Sequence, residues 1–348
     1  MNFLKVQICD DSLVYRALLK QLLKKIPSVQ ITATANDGKS LLRSIHEDCP
    51  DVVLLDVEMP VMDGITVMRE LHNTPYRPSV IMCSAFTTEG ADVTIEALEL
   101  GAYDFITKPE GKDRKESEQK LLAQLEPQFS SLLKKKINKE ATQEVFIRAS
   151  APSLPKTNTK TDLVCIGIST GGPNALMKVI PELPTNLPVP VAIVQHMPPL
   201  FLTSLAASLN KKCSIAVKVA EDNEELKAGC VYFAPGQTQM GIFQHGGALF
   251  VRFDGGAPAA NHCTPAADYL FRSAAEVLKD KVLGIVMTGM GADGARGLKL
   301  LHDAGAMTMA QDQSSSTIYG MPKEAVRFGG AKMTVALMDI AQKITSVV

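Results

Sequence analysis

The sequence predicts an α/β protein made of two doubly wound parallel-sheet domains joined by a linker. Three observations carry that prediction. The chain has 348 residues, more than a single hydrophobic core usually organises. In both halves short apolar runs alternate with amphipathic stretches, the βα rhythm of a parallel sheet covered by helices. Between the halves, residues 111–160 lose that rhythm and become rich in Lys, Glu, Gln and Ser. The expected division is a first domain over 1–112, a partly helical linker over 113–160 and a second domain over 161–348.

In the first domain the strands are read from LKVQIC, VQITATA, DVVLLDV, SVIMCSA and DFITK, with helices such as SLVYRALLKQLLKKI and ALEL between them. In the linker, Leu122, Leu125, Phe129 and Leu132 fall at 3-4-3 spacing, one narrow helical stripe that Pro127 interrupts. The stripe is too short for a stable coiled coil and reads as a helix lying on the domains. The tail APSLPKTNTKT reads as extended. Alternation resumes at Asp162, with strands in DLVCIGIS, PVAIVQH, IAVKVA, CVYFAP, LFVRF, VLGIVMTG and AMTMAQ. Helices are expected in ALMKVIPEL, AADYLFRSAAEVLK and ARGLKLLHDAG.

Composition narrows the function. A hydrophobic fraction of 46% with 21% charged residues is ordinary for a globular protein. A net charge of −1 argues against coating a nucleic acid, which needs a Lys/Arg excess. The seven cysteines are scattered without CxxC or Cys/His ligand spacing and read as small buried hydrophobes in a reducing compartment. No signal peptide and no membrane-spanning run is visible, so a cytoplasmic protein that is not membrane-inserted is expected.

In a parallel sheet the carboxyl ends of the strands share one edge, where ligands collect. In the first domain that edge receives Asp10 and Asp11 from the first strand and Asp56 from the third. Ser84 comes from the fourth, and Lys108 follows the fifth. Each aspartate alone reads rather as a helix cap. Together, three carboxylates repel unless a cation joins them, and Mg²⁺ prefers such hard oxygen ligands while leaving room for phosphate. Lys108 then offers a point charge, Ser84 a hydroxyl, and Asp56 a nucleophile. Residues 1–112 thereby resemble a two-component receiver domain, which is flavodoxin-like. The resemblance implies phosphorylation at Asp56, Mg²⁺ on Asp10, Asp11, Asp56 and the Glu58 backbone carbonyl, and phosphoryl binding by Ser84 and Lys108. It also places Phe105 at the switch-aromatic position, where ordinary core is an equal reading.

The second domain presents another constellation. Ser169 lies in GISTGGP, between an apolar run and ALMKVI, a strand–turn–helix that projects its hydroxyl near helix amides. A phosphate-binding loop looks similar. A dinucleotide site, however, wants an acidic residue at the next strand end, and PVAIVQHM ends in His196 instead. His196 reads as a general base, although a lone histidine is more often structural. Asp293, in the glycine-rich TGMGADGARG, is either a helix N-cap or the carboxylate that orients the base. His262 could line the site but ranks below His196.

The motifs GISTGGP, QHMPP and TGMGADGA behind a receiver closely resemble the CheB-type chemotaxis protein-glutamate methylesterases, over nearly the whole chain apart from the linker. The departures are ISTGG where AST is more usual, and a longer, more charged linker. The resemblance implies a Rossmann-like catalytic domain with Ser169 as nucleophile, His196 as base and Asp293 as its orienting partner. Met290, Thr170 and Gly171 would form the oxyanion and substrate loop, with no cofactor beyond the receiver's Mg²⁺. It implies methyl-accepting chemotaxis receptors as substrates, deamidation of glutamines beside demethylation, and a chemotaxis histidine kinase as phosphodonor. The unphosphorylated receiver would pack over the Ser169 edge. A receiver-controlled signalling adaptor with a non-catalytic output domain is the alternative.

Overall fold

The computed structural model describes residues 3–109, 113–141, 161–255 and 263–348. The chain divides into two compact units, Met1–Arg148 and Ala149–Val348.

In the first unit five strands, β1 (Leu4–Cys9), β2 (Val29–Ala35), β3 (Val52–Asp56), β4 (Ser79–Ser84) and β5 (Asp104–Thr107), form a sheet in the order β2-β1-β3-β4-β5. Every pairing in it is parallel. The helices are α1 (Leu13–Leu23), α2 (Gly38–Asp48), α3 (Gly64–His72), α4 (Thr88–Glu99) and α5 (Arg114–Ala141). Four of them start where the sequence supplies an N-cap. Ser12, Asp37, Asp63 and Thr87 each accept a backbone N–H from the first turn.

The stripe expected in the linker belongs to this unit. Leu121, Leu125, Phe129 and Leu132 are buried with Val6, Ile8, Leu19, Leu23 and Ile106, while Leu122 packs at the margin of the same cluster. Nor does Pro127 end the helix, which runs through it for 28 residues. A proline there costs on the order of 3 kcal/mol, and the apolar contacts on both sides of it offset that cost. The expected boundary at residue 112 therefore falls ahead of a helix that closes the first sheet.

The second unit has a seven-stranded sheet built from β6 (Leu163–Ile168), β7 (Val191–Gln195), β8 (Ala216–Val219), β9 (Cys230–Phe233), β12 (Val282–Val286), β13 (Met307–Gln311) and β14 (Met333–Val335). Its order is β14-β13-β12-β6-β7-β9-β8, again all parallel. LFVRF does not join it. It forms β11 (Ala248–Asp254), antiparallel to β10 (Gln239–His245) in a separate hairpin. The turn between them uses Gly246 and Gly247 at φ of 59° and 85°, the left-handed pair a two-residue hairpin favours. Helices α6 (Gly172–Val179), α7 (Pro199–Lys212), α8 (Ala267–Leu278), α9 (Ala295–Asp303), α10 (Met321–Arg327) and α11 (Ile340–Val347) complete the unit. The chain leaves β6 toward β7 on one side and returns to β12 on the other, so a crevice is expected beyond the end of β6.

Candidate functional site

At the end of β6 the chain turns sharply. The Ser169 amide donates to the Thr288 carbonyl at 2.9 Å, and the Gly172 amide closes back onto the Ser169 carbonyl at 2.7 Å. Gly171 takes φ of 74° against the Thr317 side chain and heads α6, with Pro173 in its first turn. Thr170 offers its carbonyl to the Thr288 hydroxyl at 3.0 Å. The Ser169 turn is thus knitted to the end of β12.

His196 lies just past β7, its amide donating to the Ile168 carbonyl at 3.0 Å. Its Nε2 stands 2.8 Å from Oδ2 of Asp293. Asp293 does not cap α9, whose N-cap is Gly294. Its carboxylate accepts the amides of Ala267 at 2.7 Å and Asp268 at 3.0 Å, the first turn of α8, and of Gly294 at 2.9 Å. Burial pushes the Asp293 carboxyl up, but His196 and these amides outweigh it and hold it below the usual carboxylate range. Asp293 therefore stays charged and fixes the imidazole through Nε2, leaving Nδ1 to face other chemistry. Among the described residues no hydrogen bond joins the Ser169 hydroxyl to the His196 ring; such contacts often tighten only with substrate.

Met290 is half-exposed on the loop after β12. Its neighbour Gly289 passes so close to Ser169 that a Cβ there would sit 2.7 Å from the serine Cβ. The loop backbone around Met290 is thereby set beside Ser169. His262 lies outside the described residues.

Gln195 was not singled out from sequence. It is buried, and its Nε2 donates to the carbonyls of both Ser169 at 3.1 Å and His196 at 3.0 Å. One amide thus ties the serine turn to the histidine, and only glycine at 172 leaves room for it. Gln311 plays a similar part, accepting the Thr288 amide at 2.8 Å. Cys263, which the sequence reads as one of seven small buried hydrophobes, is only partly buried. Its thiol lies near His196 and Asp293, and burial pushes it up to about 11, with Asp293 and Asp268 adding to the rise.

The sheet edge of the first unit gathers Asp10, Asp56 and Lys108. Lys108 Nζ is 2.7 Å from both Asp10 Oδ2 and Asp56 Oδ2. Oxygens of Asp10, Asp11 and Asp56 approach one another within 4.8 Å. Burial pushes the Asp56 carboxyl up to about 7, Lys108 pulling against the shift and Asp10 adding to it. Asp11, Asp56, Glu58, Ala85 and Lys108 line a cleft of about 510 Å³. The Ser84 hydroxyl is turned toward the Gly90 carbonyl at 3.1 Å rather than into the cleft. Phe105 is half-buried on β5. Arg16 and Tyr15, not foreseen, support the edge. Arg16 Nη1 donates to the carbonyls of Asp10 and Asp11, and the Tyr15 ring lies 4.7 Å from Lys108 Nζ.

Comparison with known proteins follows the same division. Residues 164–344 match the family model of the CheB methylesterase, and residues 6–120 that of the response regulator receiver domain. A protein-glutamate methylesterase/protein-glutamine glutaminase of Desulfotalea psychrophila is 40% identical, covering 100% of this chain and 99% of its own length. One of Bacillus subtilis is 40% identical over 99% of this chain and 98% of its own. The solved CheB methylesterase catalytic domain of Thermotoga maritima is 38% identical, with a TM-score of 0.53, covering 55% of this chain and 100% of that domain.

Proposed function

As the chain belongs to the CheB methylesterase family, we propose that it hydrolyses glutamate methyl esters on methyl-accepting chemotaxis receptors, deamidates receptor glutamines, and is controlled by phosphorylation of Asp56. The observation that carries the catalytic part is the His196–Asp293 pair, held by backbone amides beside the Ser169 turn.

The chemistry follows from these groups. Ser169 Oγ attacks the ester carbonyl carbon while its proton passes to His196 Nδ1, the nitrogen that Asp293 leaves unclaimed. Asp293, held charged, stabilises the imidazolium without taking its proton. The oxyanion is met by loop amides including that of Met290, with Thr170 and Gly171 shaping the approach. Each such donor contributes roughly 3–4 kcal/mol. The proton then goes from His196 to the departing methoxide, releasing methanol and leaving an acyl-serine. Water, deprotonated by His196, attacks that carbonyl and frees Ser169 and the glutamate carboxylate. A glutamine enters the same sequence with ammonia leaving in place of methanol. The hydrolase needs no cofactor for these steps.

In the receiver the donor set suits Mg²⁺: three carboxylates converge at one edge, and Lys108 pairs with only two of them. Asp10, Asp11, Asp56 and the Glu58 carbonyl would hold the ion, which when bound neutralises charge during phosphoryl transfer. Asp56 receives the phosphoryl group from a chemotaxis histidine kinase. Lys108, and Ser84 after its hydroxyl turns from Gly90, bind the phosphoryl oxygens, and Phe105 follows them as the switch. The unmodified receiver restrains the hydrolase; a bias of about 3 kcal/mol suffices for a roughly hundredfold effect. No helix among the described residues is long and apolar enough to cross a membrane, in keeping with action at the cytoplasmic ends of receptors.

The test is methanol release from methylated receptor membranes, with and without a small-molecule phosphodonor and Mg²⁺. Release should vanish in Ser169→Ala and lose its response to phosphodonor in Asp56→Asn. An active Ser169→Ala protein would overturn the nucleophile, and an unchanged phosphodonor response in Asp56→Asn would overturn the control.

A further inference from the structure

The triad region contains one chemically capable group that acyl transfer does not use. Cys263 enters between β11 and α8, and its carbonyl is fixed by the Gln239 side-chain amide at 2.8 Å. The Cys263 sulfur, a ring nitrogen of His196 and a carboxylate oxygen of Asp293 all lie within 4.8 Å of one another. We infer that these three side chains form a binding site for a soft divalent cation, Zn²⁺ foremost, whose occupancy shuts off the hydrolase.

Three features of the site bear on this. Zn²⁺ binds sulfur at about 2.3 Å and nitrogen or oxygen at about 2.0–2.2 Å. Tetrahedral angles then put the ligand atoms about 3.3–3.6 Å apart, so the sulfur closes by roughly an ångström while His196 and Asp293 open slightly from 2.8 Å. The set is also mixed in the way such an ion prefers. One thiolate, one imidazole and one carboxylate favour Zn²⁺ over Mg²⁺, which takes oxygen ligands, as the receiver edge offers. Lastly, Asp293 is already oriented by the amides of Ala267, Asp268 and Gly294, the kind of outer support that fixes a ligating carboxylate. Three protein ligands leave a fourth tetrahedral position for water.

On binding, the Cys263 thiol releases its proton to solvent, and the ion takes the place of the hydrogen between His196 and Asp293, that proton passing to the other ring nitrogen. The imidazole is then a ligand and no longer a base oriented by Asp293. The inhibition, though not the binding, rests on the triad reading above. Cys263 has no step in that reaction, so its replacement leaves basal turnover in place.

The experiment uses the full chain in excess Mg²⁺, which keeps the receiver carboxylates occupied. Co²⁺ is titrated as a spectroscopic stand-in for Zn²⁺, and thiolate-to-cobalt charge-transfer absorption is followed. One equivalent should develop the band in wild type and none in Cys263→Ser; Cys213→Ala should behave as wild type. This readout is independent of catalysis. In parallel, Zn²⁺ should lower ester hydrolysis at least tenfold in wild type, reversibly with chelator, and leave Cys263→Ser within twofold of its own metal-free rate. A missing band in wild type, or a band retained in Cys263→Ser, overturns the site. A Cys263-dependent band with equal Zn²⁺ inhibition in both proteins overturns the claim that this site shuts off the hydrolase.

Discussion

The Nε2 of His196 and the Oδ2 of Asp293 meet at 2.8 Å from two different loops at the sheet edge, and three backbone amides share the same carboxylate. Beside its bond to His196, Asp293 also satisfies the first turn of α8. Asp293→Asn should therefore fail in two ways. The imidazole loses its charged partner, which should lower kcat by about 10³- to 10⁴-fold. An NH₂ group turned toward backbone donors should also cost about 1–3 kcal/mol of stability. Methanol release and the unfolding transition of the second unit measure the two separately. A variant that loses activity with unchanged stability would mean that the amides do not depend on the carboxylate.

Gln195 joins Ser169 to His196 through a single side-chain amide. Gln195→Met keeps the length and apolar bulk but leaves two buried carbonyls without that donor. We expect kcat to fall about 10- to 100-fold, since a displacement of about 1 Å at reacting groups costs this much, with KM nearly unchanged. A rise in KM at constant kcat would instead place Gln195 in substrate binding.

Much of both sites was legible because chemistry-bearing residues stand at strand ends, which a βα rhythm reveals directly. Asp10, Asp56, Lys108, Ser169 and His196 were all placed on their sheet edges this way. For Asp293 the residues alone leave a helix cap and an orienting carboxylate both open, because its bonds to α8, some 25 residues earlier in the chain, carry no local signal. Gln195 was invisible for another reason: a buried glutamine next to a histidine carries no periodic signal, and its two acceptors are defined only by the turn geometry. The C-terminal helix of the first unit reads from sequence as a linker helix lying on the domains, because of its charge and Pro127, and how fully it belongs to the first core is hidden. Its buried face is a single stripe, and charge on the other faces masks it.

Gly289 packs its α-carbon toward Ser169 and Met321. Gly289→Ala would set a methyl 2.7 Å from the Ser169 Cβ, forcing Ser169 or the loop to shift. Strain of about 1–3 kcal/mol should come with near-complete loss of hydrolysis. Gly291 is the control. It adopts φ of 85° with nothing near the added Cβ, so Gly291→Ala should cost about 1–2 kcal/mol of backbone strain and much less activity. Comparable activity losses in the two variants would show that backbone conformation, not crowding of Ser169, decides the outcome.

Asp56 gives a prediction in pH. Without divalent cation its carboxyl is raised from 3.8 to about 7, so the folded receiver holds that proton more tightly than the unfolded chain. The stability this confers is complete below pH 3.8 and drains away as pH rises through about 7, on the order of a few kcal/mol. Mg²⁺ needs the deprotonated carboxylate and so competes with the proton. Saturating Mg²⁺ should raise the receiver's melting temperature more at pH 8 than at pH 5, and Asp56→Asn should remove most of that difference. Chelator-treated wild type should lose stability between those pH values while Asp56→Asn loses much less. Equal Mg²⁺ shifts at both pH values would show that metal and proton do not share Asp56, and the carboxylate cluster would then lose its assignment as the metal site.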